Sequence, residues 1–199
     1  VDAFIKLKEA KVSQDPYSLT LPFGDKIPYE SVEVVPAVGN SANAVVSASR
    51  LGLQCALVTH LGGDEQGKMC LERLGSEKVG LDYISVEEGQ KTNYHYVLWY
   101  GDDRTILVKH EEYSYKLPDI GTPKWLYLSS LGPTTLEYHT QIAEYLKSHP
   151  EVQLAFQPGT FQLSLGAEKL KDIYMRTKIF FCNVDEAGLI LGMNTLVIE

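Results

Sequence analysis

Three cysteines in 199 residues, Cys55, Cys70 and Cys182, are too few and too widely spaced for a disulfide framework or a zinc site. None belongs to a Cys-x-x-Cys pair, so the expectation is three buried, reduced thiols in a cytoplasmic protein. Positive charge is also short. Lys and Arg number 18 against 26 Asp and Glu, a net charge of −8, and no basic run compensates. A nucleic-acid partner is therefore not expected. No stretch reaches the roughly 18 apolar residues of a membrane-spanning helix, and the opening VDAFIKL lacks the basic and apolar regions of a secretion signal. Gly-x-Gly-x-x-Gly, Walker-type and Gly-x-Ser-x-Gly motifs are missing too, which counts against a dinucleotide oxidoreductase or a serine hydrolase.

What is there is ordinary globular material, 44% apolar and 22% charged. The length suits one domain, or one with a small attachment, and allows a real core. Residue 1 is valine, the first residues read as a strand already running, and LILGMNTLVIE stops without a closing element. The expectation is an excerpt of a longer protein.

Periodicity predicts the elements. VDAFIKL is strand-like. KEAKVSQDPYSLTLPFGDKIP is polar and proline-punctuated, a loop with one short strand at most. YESVEVV alternates like a half-exposed strand, and Gly39 breaks it. SANAVVSASRLG is a helix with Ser41 as its cap and Gly52 as its end; its low charge suggests burial on more than one face. QCALVTHLG reads as a buried strand. The next helix turns Met69, Cys70 and Leu74 inward, and LDYISVE follows as a strand. Strand–helix alternation of this kind predicts parallel βαβ units. The Tyr94–His110 stretch breaks the pattern as a hairpin around GDDR. Alternation then resumes with KWLYLSSLG, TTLEYHTQIAEYLKSH, VQLAFQPG, EKLKDIYMRT, KIFFCNV and a last helix from VDEAGLILG. An α/β body thus carries an antiparallel flap, YESVEVV together with the hairpin, suited to covering a cleft at the strand ends.

Four places carry polar groups worth a chemical reading. In AVGNSANA, Gly39 permits close backbone approach, while Asn40 and Asn43 each offer a donor and an acceptor, as a polyol needs. A helix cap with spare polar residues is the alternative. Asp2 is a carboxylate placed where VD closes a strand fragment; it can hold vicinal hydroxyls or sit in a solvated turn. HLGGDEQG, with Asp64 among glycines, is either a phosphate-cradling nest or a tight turn with a helix cap. In NVDEAG, Asn183 and Glu186 stand three apart at a strand-to-helix junction, as a capping box or as part of a magnesium shell. His95 alternates with Tyr94 and Tyr96 and so faces away from them. The five histidines show no metal spacing.

Together and in this order, these pieces resemble the ribokinase/PfkB family of carbohydrate and nucleoside kinases. VD resembles the family's first-strand aspartate. AVGNSANAVVSASRLG is similar to its Gly-Gly-x-x-x-Asn signature, with Val38-Gly39 in place of Gly-Gly. ALVTHLGGDEQGKMCLERL continues the likeness through Gly62, Asp64 and Gly67, TNYHYVLWY with RTILV resembles half of the lid, and NVDEA resembles Asn-x-x-Glu.

The resemblance implies a ribokinase-like three-layer α/β/α fold with a mostly parallel central sheet and a small antiparallel lid, its strands near 28–36 and 94–110. It implies that Asp2, Gly39, Asn40, Asn43 and His95 hold a sugar or nucleoside, that Asn183 and Glu186 place ATP, and that Glu186 serves Mg2+. The reaction implied is γ-phosphoryl transfer from ATP to a hydroxyl, with a homodimer through the lid as a further implication. The family's Gly-Ala-Gly-Asp, which supplies the catalytic base and anion-stabilising amides, is absent from the 199 residues. The chain therefore reads as a partial domain, inactive alone. A non-catalytic sugar- or nucleoside-binding regulator on the same scaffold is the alternative.

Overall fold

The computed structural model describes residues 1–14 and 17–193; the end of the closing LILGMNTLVIE lies outside the described residues. The chain divides into two compact units, Val1–Tyr113 and Ser114 onward.

The first unit opens with β1 (Asp2–Leu7), which does not belong to a parallel body. It lies inside a four-stranded sheet with β4 (Tyr29–Val35), β7 (His95–Tyr100) and β8 (Asp103–Leu107), in the order β4-β1-β7-β8. β1 runs antiparallel to β4 and parallel to β7. The flap therefore contains a strand that alternation alone could not assign to it, because period 2 identifies a strand but not its sheet. Asp2 starts this strand rather than ending one. β7 and β8 form the expected hairpin, with Gly101 at φ 61 opening its two-residue turn. Where the sequence reads as loop, β2 (Lys11–Gln14) and β3 (Tyr17–Thr20) pair as a second hairpin.

α1 (Asn40–Arg50) begins at Gly39, not at Ser41, and no side chain caps it. It ends in a Schellman motif: Gly52 N donates to Ser49 O and Leu53 N to Ala48 O. Only Ala42 and Val45 are buried, so α1 packs through one face, and its low charge reflects short polar residues on the other. The predicted buried strand after it shrinks to β5 (Thr59–Gly62), with an isolated bridge from Ala56 to Gly80. α2 (Glu65–Ser76) crosses from β5 to β6 (Ile84–Glu87), and the two strands are parallel, as the alternation predicts.

The second unit holds β9 (Trp125–Leu128), β10 (Gln153–Phe156) and β11 (Thr177–Phe180), all parallel, in the order β11-β10-β9. α3 (Leu136–Ser148) links β9 to β10, and α4 (Thr160–Leu165) and α5 (Lys171–Arg176) link β10 to β11. α6 (Val184–Leu191) follows. β10 is central, and Leu154 and Phe156 are fully enclosed among Leu128, Ile142, Leu146, Leu170 and Ile173. β11, an apolar run in sequence, keeps Ile179 and Phe180 exposed at the sheet edge. Of the cysteines, Cys70 is buried and Cys182 exposed, which corrects the expectation of three buried thiols.

Candidate functional site

Asp2 and His95 are register partners on β1 and β7, and His95 Nδ1 lies 3.4 Å from Asp2 Oδ1. The pairing puts both side chains on one face of the sheet. The other partner of Asp2 is Val35, the last residue of β4, and Gly39 comes four residues later. Four residues span at most about 14 Å, so the sheet topology delivers the start of α1 to the neighbourhood of Asp2. Packing agrees. Val1, Ala37 and Tyr94, each one or two residues before Asp2, Gly39 and His95, belong to one apolar cluster with Leu61 and Cys70. Ala37 N also donates to Cys70 Sγ.

The backbone at this junction is unusual. Ala37 has φ 54 and Gly39 has φ 111, both left-handed. For Ala37 that conformation costs about 1–2 kcal/mol. At Gly39 an added side chain would meet nothing within 4 Å, so its glycine is required by φ rather than by crowding. Asn40 and Asn43 then occupy the first turn of α1 with exposed side chains. The Asn43 backbone N donates to Gly39 O at 2.8 Å, and nothing among the described residues hydrogen-bonds its side-chain amide.

His95 Nε2 is buried and has no partner among the described residues, a state that costs about 1–3 kcal/mol unless something supplies an acceptor or donor. His110, three residues past the end of β8, stands edge-on to His95 with ring centroids 5.8 Å apart. Burial, and then the neighbouring His95, pull the His110 imidazole below its ordinary range. Sequence reading placed both histidines on the flap hairpin without pairing them; the β7–β8 register runs only from Tyr96–Leu107 to Tyr100–Asp103, and the ring contact lies beyond it.

Asp64, by contrast, is occupied. It caps α2 by accepting from Gly67 N at 2.9 Å, and it takes Thr92 N at 2.9 Å and Thr92 Oγ1 at 2.6 Å. Burial opposes its charge, but the hydrogen bonds from Thr92 and Gly67 outweigh burial and hold the carboxyl below its usual range. A Cβ on Gly67 would collide with the Gly62 carbonyl. HLGGDEQG is thus a tight turn with a helix cap, the second of the two sequence readings.

In the second unit, Asn183 and Glu186 form a reciprocal capping box at α6. Glu186 N donates to Asn183 Oδ1 at 2.8 Å, and Asn183 N donates to Glu186 Oε2 at 2.9 Å. Among the described residues, Oε1 of Glu186 is left over. One spare carboxylate oxygen suits a magnesium ion that keeps most of its waters, and among the described residues no cluster of three or more His, Cys, Asp and Glu could cage a metal.

Residues 6–198 match the pfkB family of carbohydrate kinases. A ribokinase of Bacillus subtilis is 34% identical over 87 residues, 43% of this chain and 29% of that protein. The fold is similar to a Methanocaldococcus jannaschii nucleoside kinase of the ribokinase family, with a TM-score of 0.71 at 15% identity over 96% of this chain and 60% of the other. It is similar to an Arabidopsis thaliana ribokinase complexed with ribose and ATP, with a TM-score of 0.69 at 18% identity over 99% and 61%. A Cryptococcus neoformans ribokinase complexed with ADP gives 0.68 at 22% identity over 96% and 56%. The chain thus spans about 60% of the length of these solved relatives, and its ribokinase-like α/β fold, with parallel and antiparallel strands, is theirs; the lid sheet of this chain is mixed rather than antiparallel throughout, because β1 runs parallel to β7.

Proposed function

The chain belongs to the pfkB family of carbohydrate kinases, and on that premise we propose that it supplies the sugar-side part of an enzyme that moves the ATP γ-phosphoryl group to a hydroxyl of a sugar or nucleoside. One observation carries the reading: a carboxylate and an imidazole with a buried, unpartnered nitrogen share one face of the lid sheet, where the topology also delivers the start of α1. Asp2 accepts from vicinal hydroxyls, a charge-assisted pair of bonds. Asn40 and Asn43 donate and accept at the helix start, Gly39 lets the ligand approach the backbone, and His95 Nε2 finds its partner in a ligand hydroxyl. Asn183 and Glu186 face the nucleotide side, where Glu186 Oε1 would hold a water of hydrated Mg2+. Bound magnesium neutralises phosphate charge during transfer. The relatives named are all described as kinases, which favours phosphoryl transfer over binding alone. The apolar row of Val32, Val34, Tyr96 and Leu107 on the opposite face of the lid, each about half exposed, favours a second copy of the chain as partner. Among the described residues no helix is long and apolar enough to cross a membrane; a cytoplasmic location is part of the proposal.

A thermal-shift panel of pentoses, hexoses and nucleosides on the 199-residue chain tests the site. One class should raise the melting midpoint of the wild type, and Asp2→Asn should abolish the rise. A panel without any shift, or a shift that Asp2→Asn leaves intact, sinks the assignment. The same preparation should show no sugar-dependent ATP turnover, because these residues hold no Gly-Ala-Gly-Asp; measurable turnover would refute that part.

A further inference from the structure

The most completely buried polar network lies in the second unit. His139 on α3 is 2% exposed and Gln162 on α4 is 1% exposed. His139 Nδ1 lies 2.6 Å from the Thr135 carbonyl, which can only accept, so Nδ1 carries the hydrogen. His139 Nε2 is then the acceptor, and Gln162 Nε2 donates to it at 2.9 Å. The other amide hydrogen of Gln162 goes to Ser129 O at 3.0 Å, and Gln162 Oε1 accepts from Gly159 N at 2.7 Å. Every direction of the amide is used, and one arrangement of its O and N satisfies all three partners.

The partners matter because of where they lie. Ser129 follows β9 directly and Gly159 follows β10 by three residues, so the amide ties together the loops at the carboxyl ends of two adjacent parallel strands. In open α/β sheets ligands bind outside those ends. The third such loop, after β11, carries Asn183. It is joined to β10 by the bond from Phe181 N to Phe156 O, as Gln157 N joins Leu128 O.

We propose that His139 and Gln162 are positioning residues that hold the β9 and β10 loops together, and that a proton on His139 Nε2 releases them. The structural claim is independent of the kinase reading; only the purpose of the loops rests on it. A protonated His139 presents a second N–H to the Gln162 amide. Turning that amide over to offer Oε1 would aim its NH2 at Gly159 N–H and leave Ser129 O without its donor. Protonation therefore either sets two N–H groups against each other at Nε2 or, with the amide turned to keep the imidazolium paired, breaks the bonds to both loops; the turn is the route that frees them. Burial first, opposed by the Thr135 carbonyl, pulls the His139 imidazole below its ordinary range. No charged group contributes. α4 carries no titratable side chain, Lys171 and Asp172 of α5 are exposed, Arg176 of α5 donates to the carbonyls of His149 and Val152, and Glu186 of α6 is engaged with Asn183. The adjacent Tyr138 stays neutral, its hydroxyl pushed up to about 12 by burial and Tyr115.

Two measurements on the 199-residue chain test this. Nitrogen-15 spectra of the His139 ring should show the neutral Nδ1–H tautomer at pH 7.5, with protonation only below the ordinary histidine value of about 6.5. Amide exchange at Gly159, corrected for intrinsic rate, should quicken about tenfold or more on acidification through that lower transition. His139→Gln keeps an acceptor near the Nε2 position and takes no proton, so Gly159 protection should become independent of pH. An Nε2–H tautomer, titration at the ordinary value, or an acid-opening step that survives in His139→Gln overturns the proposal. If that variant does not fold, the wild-type ring spectra decide. Sugar-induced stabilisation through Asp2 is read separately, so failure here leaves that result standing, and the reverse.

Discussion

At the scale of single residues, Asp64 shows how one carboxylate can look like a ligand group and be a structural one. Three donors meet it, two from Thr92 and one from Gly67. Asp64→Asn replaces one acceptor oxygen by an NH2 facing a donor. Urea unfolding at pH 7 should show a loss of about 1–3 kcal/mol. The sign of the pH effect follows from the lowered carboxyl. Its stabilisation is fully present above the unfolded carboxylate value of about 3.9 and is lost as pH falls through the lower folded value. The gap between wild type and variant should therefore close between pH 4 and the acid limit, and a gap of constant size would contradict the account. The sequence offered Asp64 as cap or as nest. What decided between them was Thr92, 28 residues away, and no local pattern carries that contact. The pairing of His95 with His110 was hidden for the same reason.

At the scale of elements, the local signals were legible and their partners were not. Glycine at residue 52, the burial of Cys70 and Leu74, and the run from Leu136 to Ser148 appear as the periodicity implied, whereas Met69, read as inward, is only partly buried. The cap of α1 was misplaced by two residues because the chain reaches Gly39 through left-handed Ala37, and a serine nearby does not reveal that path. α6 separates two roles for one motif. Asn183→Ala removes the cap and should destabilise the chain by about 1 kcal/mol, whereas Asn183→Ser keeps a capping oxygen and should cost only a few tenths. Chemical denaturation of both variants checks the pair; equal losses would show that the cap contributes nothing. A variant that keeps stability yet alters nucleotide binding then isolates the ligand role of the amide.

At the scale of the whole molecule, apolar side chains stand exposed on the outer face of the lid and along the β11 edge with α6. Hydrophobicity marks a residue for burial without saying against what; the half-exposed character of YESVEVV was legible, and what covers its apolar positions was not. If the lid face receives a second copy, sedimentation velocity should show a dimer at micromolar concentration, and Val34→Glu with Leu107→Glu should return it to a monomer with unchanged thermal stability. A wild type that sediments as a monomer at 100 μM would remove that partner.

The position of β1 has a consequence in time. Its hydrogen-bonding edges are completed by β4 on one side and by β7, whose first residue is 93 positions later, on the other. A ribosome adding about 5–20 residues each second needs roughly 5–20 s to deliver that second neighbour. Throughout that interval the segment bearing Asp2 has at least one unsatisfied edge, and both until β4 is made; nascent chains stalled before residue 95 should be the ones that chaperones retain.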